Sequence, residues 1–198
     1  MKLSLPLQFA ALAAAVLSAL TPFESATANP FEQAEVIQED FIAIAAPVGQ
    51  TTKYQLLVLE QLSPDRLCWN ESGVNPIAVD PLLLQFDFTG ICGRSTDSNG
   101  YSIRMGGQDL GLNYDLRIVQ RDGDLLLVGV PIRGDGARIE IGRTNGVVSG
   151  FVKIVLHPGW RFTKRTYQGQ TLGHVYLTHD LTLSEVLARG ANAPSAWR

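Results

Sequence analysis

The segment Trp160–Tyr167, WRFTKRTY, holds the residues of this chain best suited to binding a ligand. If it is extended, alternation gives one face with Trp160, Phe162 and Lys164 and another with Arg161, Thr163 and Arg165. An aromatic ring can stack on the apolar face of a sugar, and a nearby guanidinium offers paired donors to an acidic group. We therefore predict a ligand-binding surface formed by Trp160, Arg161, Lys164, Arg165 and Tyr167. The alternative is a strand with Trp160 and Phe162 in the core and a solvated basic face.

Acidic and amide side chains beside a glycine in Arg94–Arg104, RSTDSNGYSIR, raise the question of a calcium loop. An EF-hand loop needs a bidentate glutamate at its twelfth position, but with Asp97 and Asn99 as ligands that position is Gly106. Asn-Gly followed by an alternating segment is instead a signal for a hairpin turn. We predict a turn without a metal, and an irregular calcium site using Asp97 and Asp109 is the alternative.

Residue types used in catalysis are present, but without catalytic spacing. The three histidines, His157, His174 and His179, form no zinc-site pattern with cysteine or carboxylate residues. There is no Gly-x-Ser-x-Gly elbow, and no base partner is visible for Ser72, Ser95, Ser98 or Ser102. Paired carboxylates could hydrolyse a glycosidic bond, and the candidates are Asp80, Asp87, Asp97, Asp109 and Asp115. Because spacing alone does not pair them, we expect no catalytic residue, metal or cofactor.

The first residues of the chain are typical of an export signal. Lys2 supplies a positive start, an apolar run extends from Phe9 to Leu20, and Ala26-Thr27-Ala28 is a small-x-small cleavage site. The run is about 12 residues long, whereas roughly 20 are needed to cross a bilayer. We therefore predict a signal peptide over residues 1–28, a mature chain without a membrane span, and a secreted or periplasmic location.

The two cysteines, Cys68 and Cys92, are interpreted as one disulfide. In an oxidising compartment such a pair is most simply joined. Closing a loop of this length contributes about 3 kcal/mol in the chain-entropy model. A metal site or a catalytic thiol is the alternative, and either would need partner residues that only the fold could bring near.

Composition disfavours nucleic acid as a partner. The chain has 16 Lys and Arg residues against 19 Asp and Glu, so it lacks the basic excess that a phosphate backbone requires. Charged residues make up only 18% of the chain, while glycine and β-branched or aromatic residues are plentiful. This balance is typical of an exported β-rich domain.

Short extended segments separated by turns must position these residues. Apolar patterns predict strands at Phe41–Ala45, Tyr54–Gln61, Leu82–Phe88, Tyr114–Ile118, Leu125–Val130, Ile139–Ile141, Phe151–Leu156 and His174–Leu177. Asp122-Gly123 predicts a hairpin turn. A capping box from Thr182 to Glu185 predicts one helix, which Gly190 is placed to end. We predict a single all-β domain over residues 29–182, sandwich-like or barrel-like, followed by a short helix and disordered tail over residues 183–198.

An internal repeat is predicted to relate residues 41–99 to residues 101–172. With Phe41 aligned to Tyr101, YQLLVLEQ (Tyr54–Gln61) overlies YDLRIVQR (Tyr114–Arg121) without a gap. Two such β units and a closing strand would protect the sheet edges. Chance similarity between amphipathic strands is the alternative.

Several longer phrases of the sequence are idiosyncratic. They are CW at Cys68–Trp69, DPLLLQFDFTGIC at Asp80–Cys92, RSTDSNGYSIR at Arg94–Arg104 and HPGWRFTKRTYQGQTLGHVYL at His157–Leu177. Together they resemble a family of small exported cyanobacterial proteins known only as a domain of unknown function, over about Phe31 to Asp180. The resemblance implies export and a bacterial source, and it implies no catalytic residue. In such a source the sequon Asn70-Glu71-Ser72 is not expected to carry a glycan.

The function predicted from these observations is binding rather than catalysis. We expect an exported domain that binds a cell-envelope or extracellular polysaccharide through the basic and aromatic segment. An envelope hydrolase using aspartates is one alternative. A structural or assembly protein that binds another protein is the other.

Overall fold

The computed structural model of the protein describes residues 31–191, which are mostly β-strand. The strands are β1 Glu32–Glu35, β2 Phe41–Pro47, β3 Tyr54–Gln61, β4 Asn70–Ser72, β5 Ala78–Asp80, β6 Cys92–Ser95, β7 Tyr101–Met105, β8 Gln108–Asp109, β9 Tyr114–Arg121, β10 Asp124–Pro131, β11 Ile139–Arg143, β12 Phe151–Leu156, β13 Trp160–Tyr167 and β14 Gln170–His179. A helix, α1, follows at Leu183–Ala191, and single 3-10 turns occupy Gln38–Asp40 and Leu82–Gln85. The predicted signal peptide and residues 192–198 of the predicted tail lie outside the described residues. Within residues 31–191, no helix is long and apolar enough to cross a membrane.

The strands form two curled sheets, which confirms the predicted all-β class. One sheet has five strands in the order β1-β13-β14-β7-β8, and its β14 pairs with β7 in parallel. The other sheet has nine strands, with the main path β6-β3-β2-β12-β11-β10-β9 and with β4 and β5 attached beside β12. The main hydrophobic core draws residues from both sheets and therefore lies between them.

β2 is buried on both of its faces. Phe41, Ala43 and Ala45 belong to the main core, whereas Ile42 and Ile44 belong to a second hydrophobic cluster on the other side of the strand. Successive side chains of a strand point to opposite faces, so a strand covered on both sides has a continuous apolar sequence. This accounts for the run FIAIAA.

The segment between β3 and β6 covers the second cluster, and a disulfide between Cys68 and Cys92 fastens it there, as predicted. The predicted strand at Leu82–Phe88 is wrong, because its first four residues form a 3-10 turn. Leu83 is buried in the cluster, and its amide donates to the Cys68 carbonyl at 3.1 Å. The turn directs Leu83 into the cluster, whereas the next residue, Leu84, is exposed.

Residues 97–100 form the predicted turn, but the turn does not close a hairpin. The Gly100 amide donates to the Asp97 carbonyl at 2.9 Å, and the Asn99 amide donates to Asp97 Oδ1 at 2.8 Å. Because β6 and β7 lie in different sheets, this turn carries the chain from one sheet to the other. The turn at Asp122-Gly123 does join paired strands, β9 and β10, as predicted.

α1 begins at the predicted capping box. The Thr182 amide donates to Glu185 Oε2 at 2.8 Å, and Leu183 and Val186 pack against the main core. The helix continues through Gly190 to Ala191, so the predicted stop at Gly190 is wrong. Glycine within a helix lowers its stability by only about 1 kcal/mol relative to alanine, so a glycine near the end of the helix does not have to stop it.

The strands aligned in the predicted repeat have different neighbours. β2 and β3 pair with each other, whereas their aligned counterparts β7 and β9 lie in different sheets. β14, the predicted closing strand, lies in the middle of the five-stranded sheet. The duplication itself stays a prediction.

Candidate functional site

β13 carries the segment predicted to bind a ligand, and one face of this strand points into the protein. Trp160 is only 8% exposed, and together with Phe162 it belongs to the main core. The Phe162 ring stacks on Phe41 with centroids 5.5 Å apart. Trp160 is therefore not available to stack on a sugar at the surface, and the alternative that placed both rings in the core agrees with the structure.

The basic residues of the segment are engaged with carboxylates. Lys164 is buried, and its Nζ lies 2.5 Å from Glu60 Oε2. Arg161 Nη2 donates to Glu35 and to Asp180 at 2.8 Å each. These hydrogen bonds lower the pKa of the Glu35 and Asp180 carboxyl groups.

Arg165 and Tyr167 contact different residues from the one that Lys164 contacts. Arg165 Nη2 donates to Asp109 at 2.6 Å, and Tyr167 is exposed, with its ring 5.7 Å from that of Phe31. The five predicted residues therefore do not form one continuous surface. Their role in binding stays a prediction.

A buried polar network occupies the face of the five-stranded sheet that points away from the core. Asp109 on β8 accepts hydrogen bonds from the Tyr176 hydroxyl at 2.9 Å and from Arg165. The Ser102 hydroxyl lies 3.2 Å from the other oxygen of Asp109 and 2.8 Å from His174 Nε2. Burial alone would raise the pKa of Asp109, but hydrogen bonds from the Gly111 amide and Tyr176, with the charge of Arg165, lower it overall.

The Ser102–His174 contact has the geometry of a nucleophile and its base. His174 Nδ1 lies 2.8 Å from the Asn99 carbonyl, so Nδ1 carries the ring proton, and Nε2 accepts a hydrogen bond from the Ser102 hydroxyl. Burial lowers the pKa of His174 and keeps the ring neutral. Ser102 is only 4% exposed, however, so its hydroxyl is largely shielded from solvent, and the contact forms part of the buried polar network.

Sequence reasoning missed this pairing because the two residues are far apart in the chain. Ser102 and His174 are separated by 72 positions and meet only because β7 and β14 pair in parallel. The sequence indicates only that both residues lie in segments with strand patterns, which does not predict that they meet.

Three of the candidate aspartates, Asp87, Asp97 and Asp115, are engaged in contacts with residues close by in the chain. Asp87 accepts hydrogen bonds from Thr89, Asp97 stabilises its own turn, and Asp115 pairs with Arg117. Within residues 31–191, no group of three or more His, Cys, Asp or Glu side chains is arranged to hold a metal ion.

Two strands of the nine-stranded sheet face each other with edges that no described strand fully covers. β6 pairs only with the second half of β3, from Val58 to Gln61, which leaves Tyr54–Leu57 bonded on one side to β2. Among residues 31–191, β9 ends the sheet and pairs only with β10. Because the sheet curls, these edges approach each other, and Cα atoms of β3 and β9 come within 8 Å without any pairing between the strands.

A groove of about 530 Å³ lies where these edges diverge, and we call it the β3–β9 groove. Its walls are Thr52–Leu56 on one side and Leu116–Ile118 with Gln120 on the other, with Tyr101 also contributing. Lys53 and Arg117 are the charged residues of this lining. The groove therefore combines apolar walls, amide side chains and positive charge.

Tyr101 braces the β3 wall of the groove. Its hydroxyl lies 3.3 Å from the Leu56 carbonyl and 3.2 Å from the Thr96 carbonyl. Burial, with Asp97 and Asp115 nearby, raises the pKa of Tyr101 to about 12, so the hydroxyl remains a donor at neutral pH. Leu56 is thereby held at the groove.

The fold and the groove define an all-β domain of two curled sheets with an open edge-to-edge groove. Residues 8–182 match the model of the family described as protein of unknown function (DUF3747), and the chain belongs to this family. No curated protein and no solved structure matches the chain.

Proposed function

We propose that the protein is an exported binding module that holds an extended segment of another protein in the β3–β9 groove. The observation that carries this proposal is the free backbone edge of β9 along one wall of the groove. An extended peptide can add to such an edge as a further strand, with main-chain hydrogen bonds supplying affinity.

The register of β9 identifies the backbone groups that would bind the peptide. Arg121 and Asp124 are directly paired across a two-residue turn, so alternate residues back from Arg121 bond to β10. The N–H and C=O groups of Leu116, Ile118 and Gln120 therefore point away from β10, and these three residues line the groove.

The charges of the groove favour acidic side chains on the partner. Lys53 and Arg117 supply two positive charges to the lining, and the nearby carboxylates of Asp97 and Asp115 lie beside Tyr101 but outside the lining itself. The ion pair between Arg117 and Asp115 is solvent-exposed, and such pairs contribute about 0–1 kcal/mol, so Arg117 can exchange partners at little cost. A partner segment with alternating apolar and acidic residues fits both the walls and the charge.

Two further observations support export of such a module. The sequence begins with the pattern of a signal peptide, and the chain contains a disulfide, which is typical of oxidising compartments. An acidic polysaccharide is the competing partner, because the positive charges of the groove suit it as well. A peptide is favoured because the alternating N–H and C=O groups of a strand edge match the repeat of a peptide backbone, which a sugar chain lacks.

The proposal is tested with a ten-residue peptide of alternating valine and glutamate, with lysine replacing glutamate in a second peptide, and with alginate. Binding is measured by fluorescence anisotropy. The acidic peptide should bind more tightly than the basic one, and binding should weaken as salt is raised.

Ile118→Pro is the decisive variant. Proline removes the N–H that faces the groove and keeps the hydrogen bonds of β9 to β10, so peptide binding should be lost. Because Ile118 also packs against the main core, circular dichroism must show that the variant is folded before its binding is compared. Ile118→Val is the matched control, because it keeps the N–H. Peptide binding that persists in Ile118→Pro, or binding of alginate alone, would overturn the proposal.

A further inference from the structure

The β3 wall of the β3–β9 groove presents backbone groups of its own. The Val48 amide donates to the Lys53 carbonyl at 2.9 Å where the β2–β3 hairpin closes, so alternate residues from Lys53 onward bond to β2. The N–H and C=O groups of Tyr54 and Leu56 therefore point away from β2, and both residues line the groove. The Tyr101 hydroxyl agrees with this direction, because it also lines the groove and lies 3.3 Å from the Leu56 carbonyl.

The Leu56 carbonyl is available to a further donor. The Tyr101 hydroxyl lies 3.3 Å from this carbonyl and 3.2 Å from the Thr96 carbonyl. A hydroxyl has one proton, so Tyr101 can donate to only one of the two at a time. Leu56 can therefore accept a hydrogen bond from a bound segment while Tyr101 keeps its bond to Thr96.

β3 and β9 run in opposite directions. Every step along the sheet from β9 through β10, β11, β12 and β2 to β3 is antiparallel, which makes five reversals. A strand placed between β3 and β9 is therefore antiparallel to one and parallel to the other. β9 offers the outward groups of Leu116, Ile118 and Gln120, against two residues on β3, and antiparallel pairing is slightly more stable per residue. This favours a segment antiparallel to β9, with its N-terminal end beside Tyr54 and Gln120.

The side chains at the groove match an inserted strand on both of its faces. Tyr54, Leu116 and Ile118 are partly buried and pack against the main core, so they form the rim of that core. Alternation places Arg117 on the opposite side of β9, where it is exposed, and Lys53 is exposed as well. The apolar side chains of an inserted segment would extend the core, while its acidic side chains would face Lys53 and Arg117.

We propose that the partner is a single unpaired segment, such as a disordered tail or linker, that inserts between β3 and β9 and bonds to both. This inference rests on the proposed function and names the class of partner. A strand bonded on both edges has no edge left for a sheet of its own, so the edge strand of a folded domain does not fit.

The spacing of the two edges limits where the segment lies. Two strand spacings, about 9.6 Å, must separate the edges that hold it. Where Cα atoms of β3 and β9 come within 8 Å there is no room for a strand, so the segment lies in the diverging part that forms the groove.

The first test compares the linear ten-residue peptide of alternating valine and glutamate with the same segment locked into a β-hairpin by a D-proline–glycine turn. Fluorescence anisotropy measures both affinities, and NMR verifies that the hairpin is folded. The hairpin should bind at least about tenfold more weakly, because its second strand occupies the edge that β3 would use. Equal affinity would overturn this inference and leave peptide binding by β9 intact, whereas failure of both peptides to bind would overturn the proposed function itself.

Tyr54→Pro tests the β3 edge directly. Proline removes the N–H that faces the groove and keeps the hydrogen bonds of β3 to β2. Binding of the linear peptide should weaken about tenfold relative to Tyr54→Val, the matched control that lacks the ring but keeps the N–H. Because Tyr54 packs against the main core, circular dichroism must show that both variants are folded.

Hydrogen exchange of the complex locates the bonded edges. The bound linear peptide should slow exchange at the amides of Tyr54 and Leu56 as well as at those of Leu116, Ile118 and Gln120. Protection confined to the three β9 amides, or equal affinity of Tyr54→Pro and Tyr54→Val, would overturn the inference.

Discussion

On the outer face of the five-stranded sheet, buried polar side chains form hydrogen bonds with one another. His174 contacts Ser102 and the Asn99 carbonyl, and Asp109 gathers bonds from Arg165 and Tyr176. Buried polar networks of this kind are costly when one member is lost, because the remaining groups stay desolvated.

His174→Gln should flatten the pH dependence of stability. Burial lowers the pKa of His174 below its ordinary value of 6.5, so the folded protein favours the neutral ring. The stability this provides is present above pH 6.5 and is lost as the pH falls through the lower pKa of the folded state. Urea unfolding between pH 5 and 7.5 measures the effect.

His179 is the second contributor to this pH dependence, because burial lowers its pKa as well. The double variant with His179→Gln should therefore be flatter than either single variant. An unmodified protein whose stability rises on acidification in this range would contradict both assignments.

Asp109→Asn should destabilise the protein by about 2–4 kcal/mol, because it leaves Arg165 largely buried without its carboxylate. Asp115→Asn is the control, since its ion pair with Arg117 is exposed and should be worth at most about 1 kcal/mol. Denaturant unfolding at pH 7 compares the two. Equal losses of unfolding free energy would show that burial does not increase the stability contributed by the ion pair between Asp109 and Arg165.

Among the elements, the incomplete strand pairing of the nine-stranded sheet distinguishes the candidate site. β6 is four residues long and covers half of β3, and no described strand covers the outer edge of β9. Charged residues on β9, Asp115, Arg117 and Arg121, are typical of natural edge strands, where they oppose unspecific pairing. They make the edge selective for a partner of suitable charge.

Removal of the disulfide by Cys68→Ala with Cys92→Ala should cost about 3 kcal/mol, given the sequence separation of 24 residues. The loss should be accompanied by faster hydrogen exchange at the Leu83 amide, since the bond fastens the segment that carries it. Hydrogen exchange with mass spectrometry, on the variant and on reduced protein, provides the measurement. Unchanged exchange at Leu83 would show that packing alone holds this segment.

For the molecule as a whole, Gly129 is a point of close packing between the two sheets. A side chain at this position on β10 would meet Ile103 Cδ1 on β7 at 2.6 Å, and Ile103 is fully buried. The absence of a side chain on one sheet thus makes room for a large one on the other.

Gly129→Ala should therefore destabilise the protein by about 1–3 kcal/mol through overpacking. Ile103→Val, which removes the clashing methyl group, should recover part of this loss in the double variant. A double-mutant cycle of unfolding free energies measures the coupling. Strict additivity of the two changes would mean that the sheets separate to accommodate the methyl group.

The sequence by itself determined the features that depend on local pattern. Alternating and continuous apolar runs placed seven of the fourteen described strands, Asp122-Gly123 placed a hairpin turn, and Thr182 with Glu185 placed the start of the helix. The pairing of Cys68 with Cys92 followed from there being only two cysteines. These features arise from neighbours in the chain or from simple counting, so tertiary context was not needed.

Only the tertiary structure decided which faces are covered and which strands meet. Alternation correctly divided Trp160 and Lys164 from Arg161 and Arg165, but it could not say that the first pair points between two sheets. The Ser102–His174 contact and the β3–β9 groove depend on pairings and curvature between distant segments. Burial and strand order are properties of the assembled sheets, and for that reason the candidate sites appear only in the folded protein.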